Sequence, residues 1–220
     1  MTQLYGYTVS FDEFLPEVMQ FLPDVPELVA KNAVRNAAIE FCEKTRYWQI
    51  DVAPISVVNG KRNYVVPTPA DTKMVGAVSA YYDTNLLIPK GPDELARIYR
   101  MGDWQQVEGS PQYLTQIIKP EVVLVPTPYE DRADVLHLRV AIAPTRDSEE
   151  ISQDVYENYL LVIANGAKAI LYNTPGQPYF DKASAKECQM YFRAGIANAR
   201  IQIDKGLTRS STRAEFQRFV

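Results

Sequence analysis

The chain has 220 residues, of which 46% are hydrophobic and 23% are charged, ordinary values that argue against global disorder. Its formal net charge of −4 gives no general attraction to nucleic acid or to an anionic membrane. The sequence contains no apolar run of membrane-spanning length, and its start lacks the pattern of a signal peptide. We therefore expect a soluble protein made in a reducing compartment, with Cys42 and Cys188 as thiols.

Two helices are predicted first along the chain. Residues 10–22 carry an apolar stripe that predicts a short helix. Residues 23–48 predict one long amphipathic helix, and Asp24 and Glu27 have the spacing of a capping box at its start. Because the apolar stripe of this long helix runs over several turns, it needs a partner surface.

The central part of the chain carries strand and turn signals. Asn59-Gly60 is a preferred dipeptide of tight hairpin turns and separates the β-rich residues 50–58 from residues 61–66. A short helix is predicted over residues 91–102. Residues 74–82 and 86–89 are predicted to form a second strand pair around Asp83-Thr84-Asn85. Further strands are predicted over residues 113–118 and 121–125, which a Lys119-Pro120 turn connects, and over residues 134–143. Short strands split by prolines and turns predict an antiparallel sheet or a small sandwich.

Helical spacing returns after this region. One helix is predicted over residues 154–173, where Asp154 and Glu157 again have capping-box spacing, and another over residues 178–204. The predicted apolar side of the last helix comprises Phe180, Ala183, Cys188, Tyr191, Phe192, Ala199 and Ile203. Its small residues around Gly195 allow close approach of another helix, either in the core or at a subunit contact.

The order of these elements predicts an α+β fold. Residues 1–49 and 150–205 form a helical bundle from both ends of the chain, because neither terminal set of helices can bury its apolar stripe alone. Residues 50–149 are a central antiparallel β insertion, and residues 206–220 form an extended C-terminal arm.

The arm is basic and carries two aromatic residues near its end. Its candidate partner-binding residues are Arg209, Arg213, Phe216, Arg218 and Phe219. Arginine and aromatic side chains are favoured as binding anchors, so the arm is interpreted either as a docking segment or as a solvated terminus.

The sequence offers no catalytic, cofactor-binding or metal-binding residues, so we predict that the protein is not an enzyme. The one histidine, His137, lies in a predicted strand without a neighbouring nucleophile motif. Glycine-rich phosphate loops and the common hydrolase and zinc motifs do not occur in the sequence. A different class, a small hydrolase or carbohydrate-binding module, rests only on the aromatic residues Trp104, Tyr113 and Tyr129.

Five segments follow one another along the chain: FLPDVPELVAKNAVRNAAIEFCEKTRYWQ, GSPQYLTQ, VVLVPTPYEDRADVLHLRVAIAPT, YENYLLVIANGAKAILY and YFDKASAKECQMYFRAGIANARIQ. Their order resembles the head-to-tail adaptor (portal adaptor, or connector) proteins of tailed bacteriophages. The resemblance lies in the succession of segments and covers nearly the whole chain.

The resemblance implies a structural virion protein. It implies a homo-oligomeric ring, commonly twelve-fold, that docks under the portal at the neck, joins the capsid to a tail or nozzle protein and continues the DNA channel. The passing genomic DNA would be bound without sequence specificity, the C-terminal arm would run along the portal, and assembly would take place in the host cytoplasm. The charged side of the long helix (Lys31, Arg35, Glu40 and Lys44) becomes a candidate for ring contacts. Another neck or tail-completion protein is the alternative.

Overall fold

The computed structural model describes residues 6–99 and 103–205. The α-helices of this part are α1 (Leu15–Met19), α2 (Glu27–Thr45), α3 (Pro92–Ile98), α4 (Gln153–Tyr172) and α5 (Lys182–Lys205), and a 3₁₀ turn, Phe11–Phe14, precedes α1. The strands are β1 (Thr8–Ser10), β2 (Gln49–Asp51), β3 (Ile55–Val57), β4 (Asn63–Val65), β5 (Thr72–Tyr82), β6 (Asn85–Leu86), β7 (Ile88–Pro89), β8 (Tyr113–Thr115), β9 (Glu121–Val125), β10 (Arg132–Pro144) and β11 (Glu150–Ser152).

The strands form three sheets, so the predicted helical bundle with a single central antiparallel β insertion is wrong. β1 and β11 pair with each other, and this two-stranded sheet joins the parts of the chain that precede and follow the central region. A five-stranded sheet has the order β2-β10-β5-β6, with β3 also paired to β10. A four-stranded sheet has the order β4-β9-β8-β7, and its β7–β8 pair is parallel. The prediction missed β1 because a three-residue strand carries almost no periodic signal.

The helices bury their apolar faces against one another and also against a sheet. α2, α4 and α5 share one hydrophobic core with Val75 of β5 and with Ala141 and Ala143 of β10. The two small residues of β10 leave room for α2 to pack directly on the strand. The core of the helices is therefore continuous with the five-stranded sheet, which a separate bundle would not show.

The glycines of α4 and α5 permit very close helix contacts. A Cβ atom on Gly195 would lie 2.5 Å from Cγ1 of Val162, and one on Gly166 would lie 2.9 Å from Cβ of Ala37. Real Cβ atoms do not approach carbon atoms so closely, so both positions depend on glycine. The close approach predicted around Gly195 occurs within the subunit.

The ends of α2 differ from the predicted capping box. The helix begins at Glu27 with Pro26 at the N-cap position, and no side chain caps its first turn. Asp24 therefore does not cap the helix. At the other end the helix stops at Arg46, whose φ of 56° is left-handed and turns the chain toward β2. The aromatic pair Tyr47-Trp48 consequently lies in the connection between α2 and the five-stranded sheet.

The Asn59-Gly60 turn forms, but the hairpin predicted around it does not. Gly60 has a φ of 72°, as such turns require, and its N–H donates to the Pro128 carbonyl at 2.8 Å. β3 pairs with β10 and β4 pairs with β9, so the two flanking strands enter different sheets. The antiparallel pairs β5–β6 and β8–β9 confirm the other two local pairings expected from the sequence.

The predicted C-terminal arm, residues 206–220, lies outside the described residues. The division of the chain into residues 1–49 with 150–205, residues 50–149 and residues 206–220 stays a prediction.

Candidate interaction surfaces

All the candidate partner-binding residues predicted from the sequence lie outside the described residues. These residues are Arg209, Arg213, Phe216, Arg218 and Phe219. The structure shows where their segment begins, because α5 ends at Lys205.

The turn between β8 and β9 exposes a group of apolar side chains. Ile117 and Ile118 are 57% and 67% exposed, and Val65 of the neighbouring β4 is 63% exposed. The Val66 N–H donates to the Pro120 carbonyl at 3.0 Å, which holds β4 beside this turn. We call Val65, Ile117 and Ile118 the β8–β9 tip. Adjacent exposed branched side chains are typical of a protein contact site.

A second apolar surface runs along the outside of α5. Its residues Met190, Ala194, Ala197 and Ile201 are spaced by three and four residues and are all exposed, so they form one stripe of the helix. We call these four residues the α5 stripe. The opposite face of the helix carries the buried residues Ala185, Phe192, Ile196 and Ala199. α5 therefore has two apolar faces, and residues 6–99 and 103–205 cover only one of them.

A trench lies where the helices meet the five-stranded sheet. Two adjoining cavities of about 700 and about 310 Å³ share Trp48 and Ile50, so they form one continuous depression. One end is lined by Ile203 of α5, and the other by residues 69–72 before β5. We call this depression the Trp48 trench.

The lining of the Trp48 trench has an excess of negative charge. Its carboxylates are Asp71, Glu149, Glu150, Asp154 and Glu157. The guanidinium of Arg139 also lines the trench, but it donates two hydrogen bonds, of 2.7 and 2.9 Å, to Asp51. Glu149 is neutralised by its ion pairs with Lys31 and Arg35. The other four carboxylates give the trench its negative charge.

The rings of Tyr47 and Trp48 form one wall of the same trench. Tyr47 lies edge-on to Tyr159, with the ring centroids 4.7 Å apart. Burial raises the pKa of the Tyr47 hydroxyl, and the nearby charge of Asp154 raises this pKa further. Trp48 beside it is half-buried. The trench thus combines an aromatic wall with an acidic rim.

The charged side of α2 is used largely within the subunit. Lys31 Nζ lies 2.9 Å from Asp12 Oδ1 and 2.6 Å from Glu149 Oε2. Arg35 donates to Glu149 at 2.8 Å and to the Arg146 carbonyl at 2.9 Å. These bonds fasten α2 to the segment that leads into β11. Ring contacts through this side of α2 stay a prediction.

The bonds of Lys31 predict a dependence of stability on pH. The Lys31 ammonium lowers the pKa of Asp12 and that of Glu149 from their ordinary values of 3.8 and 4.5. The stability that these two pairs supply is therefore present above those values and is lost as the pH falls through the folded-state pKa values. We expect Lys31→Met to be less stable than the parent near pH 7, and the difference to narrow at about pH 3. Urea unfolding at both pH values measures this, with Lys186→Met as the surface control, and a difference that does not depend on pH would contradict it.

The residues considered for chemistry are dispersed in the structure. His137 is exposed on β10 opposite Tyr81, and burial raises the pKa of the Cys42 thiol to about 12, which keeps it protonated. Trp104 is buried beside Leu95 in a cluster against which Tyr113 packs, whereas Tyr129 is 53% exposed, so the aromatic set proposed for a glycan site is not presented together at the surface. Within residues 6–99 and 103–205, no three His, Cys, Asp or Glu side chains group as metal ligands. No helix of this part combines the length and hydropathy needed to cross a bilayer.

Sequence reasoning missed the β8–β9 tip and the Trp48 trench, and it touched the α5 stripe only through the small residues around Gly195, which it offered as core or as a subunit contact. Ile117-Ile118 was predicted as the end of a strand, whereas β8 stops at Thr115 and leaves both side chains outside the sheet. The aromatic pair Tyr47-Trp48 at the end of the long helix was the one available sign of the trench. The trench itself depends on how distant elements pack.

Exposed apolar surfaces and an aromatic trench with an acidic rim are features of a protein that acts by binding other proteins. A family model described as SU10 adaptor protein matches residues 9–215. The chain belongs to this family, which confirms the resemblance to phage head-to-tail adaptors. The family is one of structural adaptors and not of enzymes, so the chain is a phage adaptor protein of the virion that binds other head or tail proteins. No curated protein sequence matches the chain.

Proposed function

We propose that the protein is the head-to-tail adaptor that docks under the portal as a ring, joins the capsid to the tail and continues the DNA channel. The observation that carries the proposal is the family match over residues 9–215, which makes the chain an adaptor. The ring, the portal contact and the channel go beyond that match, and features of the chain support each of them.

The distribution of apolar surface supports a ring. In a closed ring every subunit contacts two neighbours through two different patches of its own surface. The α5 stripe lies on a helix, and the β8–β9 tip lies on the four-stranded sheet, so the subunit carries two distinct apolar surfaces. We propose that both are covered in the assembled neck, at least one of them by a second copy of the chain.

The charge of the chain supports a DNA conduit. A strongly basic lumen would bind the phosphates of a genome that has to pass through it, because each neutralised phosphate adds affinity. The formal net charge of −4 avoids this attraction. DNA would therefore pass without sequence-specific contacts.

The C-terminal arm is proposed to attach the ring to the portal. Phe216 and Phe219, together with Arg209, Arg213 and Arg218, supply aromatic and arginine side chains of the kinds that dominate binding energy at interfaces. We expect the double variant Phe216→Ala, Phe219→Ala to bind purified portal rings about tenfold more weakly than the parent, since two anchors are removed. Biolayer interferometry on immobilised rings measures the affinity, and electron microscopy shows where the protein attaches.

Phe180→Ala is the matched control for this experiment. Phe180 is 44% exposed and precedes α5, so its removal deletes one surface phenyl group without touching the arm. Equal portal affinity of the double variant and the control would exclude the arm as the portal contact. A parent chain that binds tail components but not portal rings would identify another neck or tail-completion protein instead.

A further inference from the structure

The five-stranded sheet leaves a strand edge beside the Trp48 trench. Within residues 6–99 and 103–205, β2 is the outermost strand and pairs with β10 alone. The Val52 N–H, one residue beyond β2, donates to the Leu138 carbonyl at 2.9 Å. Because backbone groups alternate in an antiparallel pair, those of Gln49 and Asp51 point away from β10. Gln49 lines the trench, so an extended peptide there could add a strand to β2.

The C-terminal segment has the chemistry that this trench fits. Residues 206–220 carry three arginines and one carboxylate, Glu215, so their formal side-chain charge is 3 − 1 = +2. The trench presents the opposite sign through Asp71, Glu150, Asp154 and Glu157. Opposite charges within about 8–10 Å attract at ordinary salt concentrations. Phe216 and Phe219 supply aromatic rings that can pack on the aromatic wall of the trench.

The segment also starts at the trench. Ile203 lines one end of the depression, and α5 ends two residues later at Lys205. The remaining fifteen residues, 220 − 205, can extend over at most about 50 Å, which is ample for a cavity of this size. A short tether gives an effective concentration in the millimolar range, so the segment of the same subunit outcompetes that of a second copy at ordinary protein concentrations.

We propose that in the free chain residues 206–220 lie in the Trp48 trench of their own subunit, paired along β2 with their arginines on the acidic rim. The arm is then not available to other partners before assembly. Portal rings release it by binding the same arginine and phenylalanine side chains that the trench holds. Only this release step rests on the proposed function. The docked state belongs to the free chain and is tested without any portal.

Trp48 reports directly on the occupancy of the trench. The chain has two tryptophans, so Trp104→Phe leaves Trp48 as the single fluorophore in the full-length chain. In this background we expect Phe216→Ala, Phe219→Ala to raise the acrylamide quenching constant of Trp48 about twofold or more, because the segment loses its aromatic anchors. Asp154→Asn with Glu157→Gln should also raise the quenching constant of Trp48, because it removes two negative charges from the acidic rim that the arginines contact. Asp24→Asn with Glu187→Gln removes two exposed carboxylates that do not line the trench, so this control should leave the quenching constant of Trp48 unchanged.

Equal quenching in the parent and in both test variants would overturn the proposal. A difference that disappears on dilution would also overturn it, because the trench would then hold the segment of a second copy. If the phenylalanine variants change portal affinity but not Trp48 quenching, the portal contact stands and the docked state fails. If they change Trp48 quenching but not portal affinity, the docked state stands and the portal contact fails.

Discussion

Phe192→Ala is expected to lower the free energy of unfolding by about 3–5 kcal/mol. The Phe192 side chain is 1% exposed and lies in the core shared by α2, α4 and α5. Its ring packs on Gly166, where a Cβ would lie 2.9 Å from the ring atoms Cδ2 and Cε2. Alanine leaves a cavity that these closely packed helices cannot fill without moving, so the loss is a large part of a typical total of about 5–15 kcal/mol.

Tyr191→Ala is the matched control, because it removes an aromatic ring from the adjacent position of the same helix. Tyr191 is 52% exposed, and we expect its replacement to change the free energy of unfolding by no more than about 0.5 kcal/mol. Urea unfolding followed by circular dichroism gives both values. A similar loss in the two variants would mean that α5 does not present the face of Phe192, Ile196 and Ala199 to the core.

The same two residues show how far the sequence determines this helix. Periodicity predicted a helix over residues 178–204 and placed Tyr191 and Phe192 on one side, but adjacent residues differ by about 100° around a helix. The structure begins the helix at Lys182 and buries a different stripe, in which Ala185 and Ile196 accompany Phe192. The sequence could not choose between the faces because both are apolar. The second face is the α5 stripe. An exposed apolar stripe that binds a partner has the same sequence pattern as a stripe buried in the core.

The sheets show the same limit for strands. Local signals were sufficient for the β5–β6 and β8–β9 pairs, whose strands are joined by short turns. They failed at Asn59-Gly60, because the partners of β3 and β4 are β10 and β9, more than fifty residues further along the chain. Such pairings depend on tertiary packing and not on turn chemistry. For the same reason the sequence could suggest residues 206–220 as a docking segment or a solvated terminus, but it could not show the acidic rim of the Trp48 trench.

Gly195→Ala is expected to destabilise the protein although alanine is the better helix former. Alanine in a helix gains roughly 1 kcal/mol over glycine, but its Cβ would lie 2.5 Å from Cγ1 and 2.6 Å from Cγ2 of Val162. Val162 is branched at Cβ and has little rotamer freedom in a helix, so α4 and α5 have to separate. Overpacking of this kind costs about 1–3 kcal/mol. Over most of this range the cost is larger than the gain in helix propensity, so the net effect is destabilising.

Val162→Ala supplies the compensating change, because it removes both methyl groups that the new Cβ would meet. We expect the double variant to be more stable than the sum of the two single changes predicts, since residues in contact couple. Urea unfolding of the parent, the two single variants and the double variant gives the four unfolding free energies of this double-mutant cycle. Additive changes, or a Gly195→Ala chain more stable than the parent, would show that α4 and α5 are further apart than described. A positive coupling would locate the close contact between Gly195 and Val162 within the subunit.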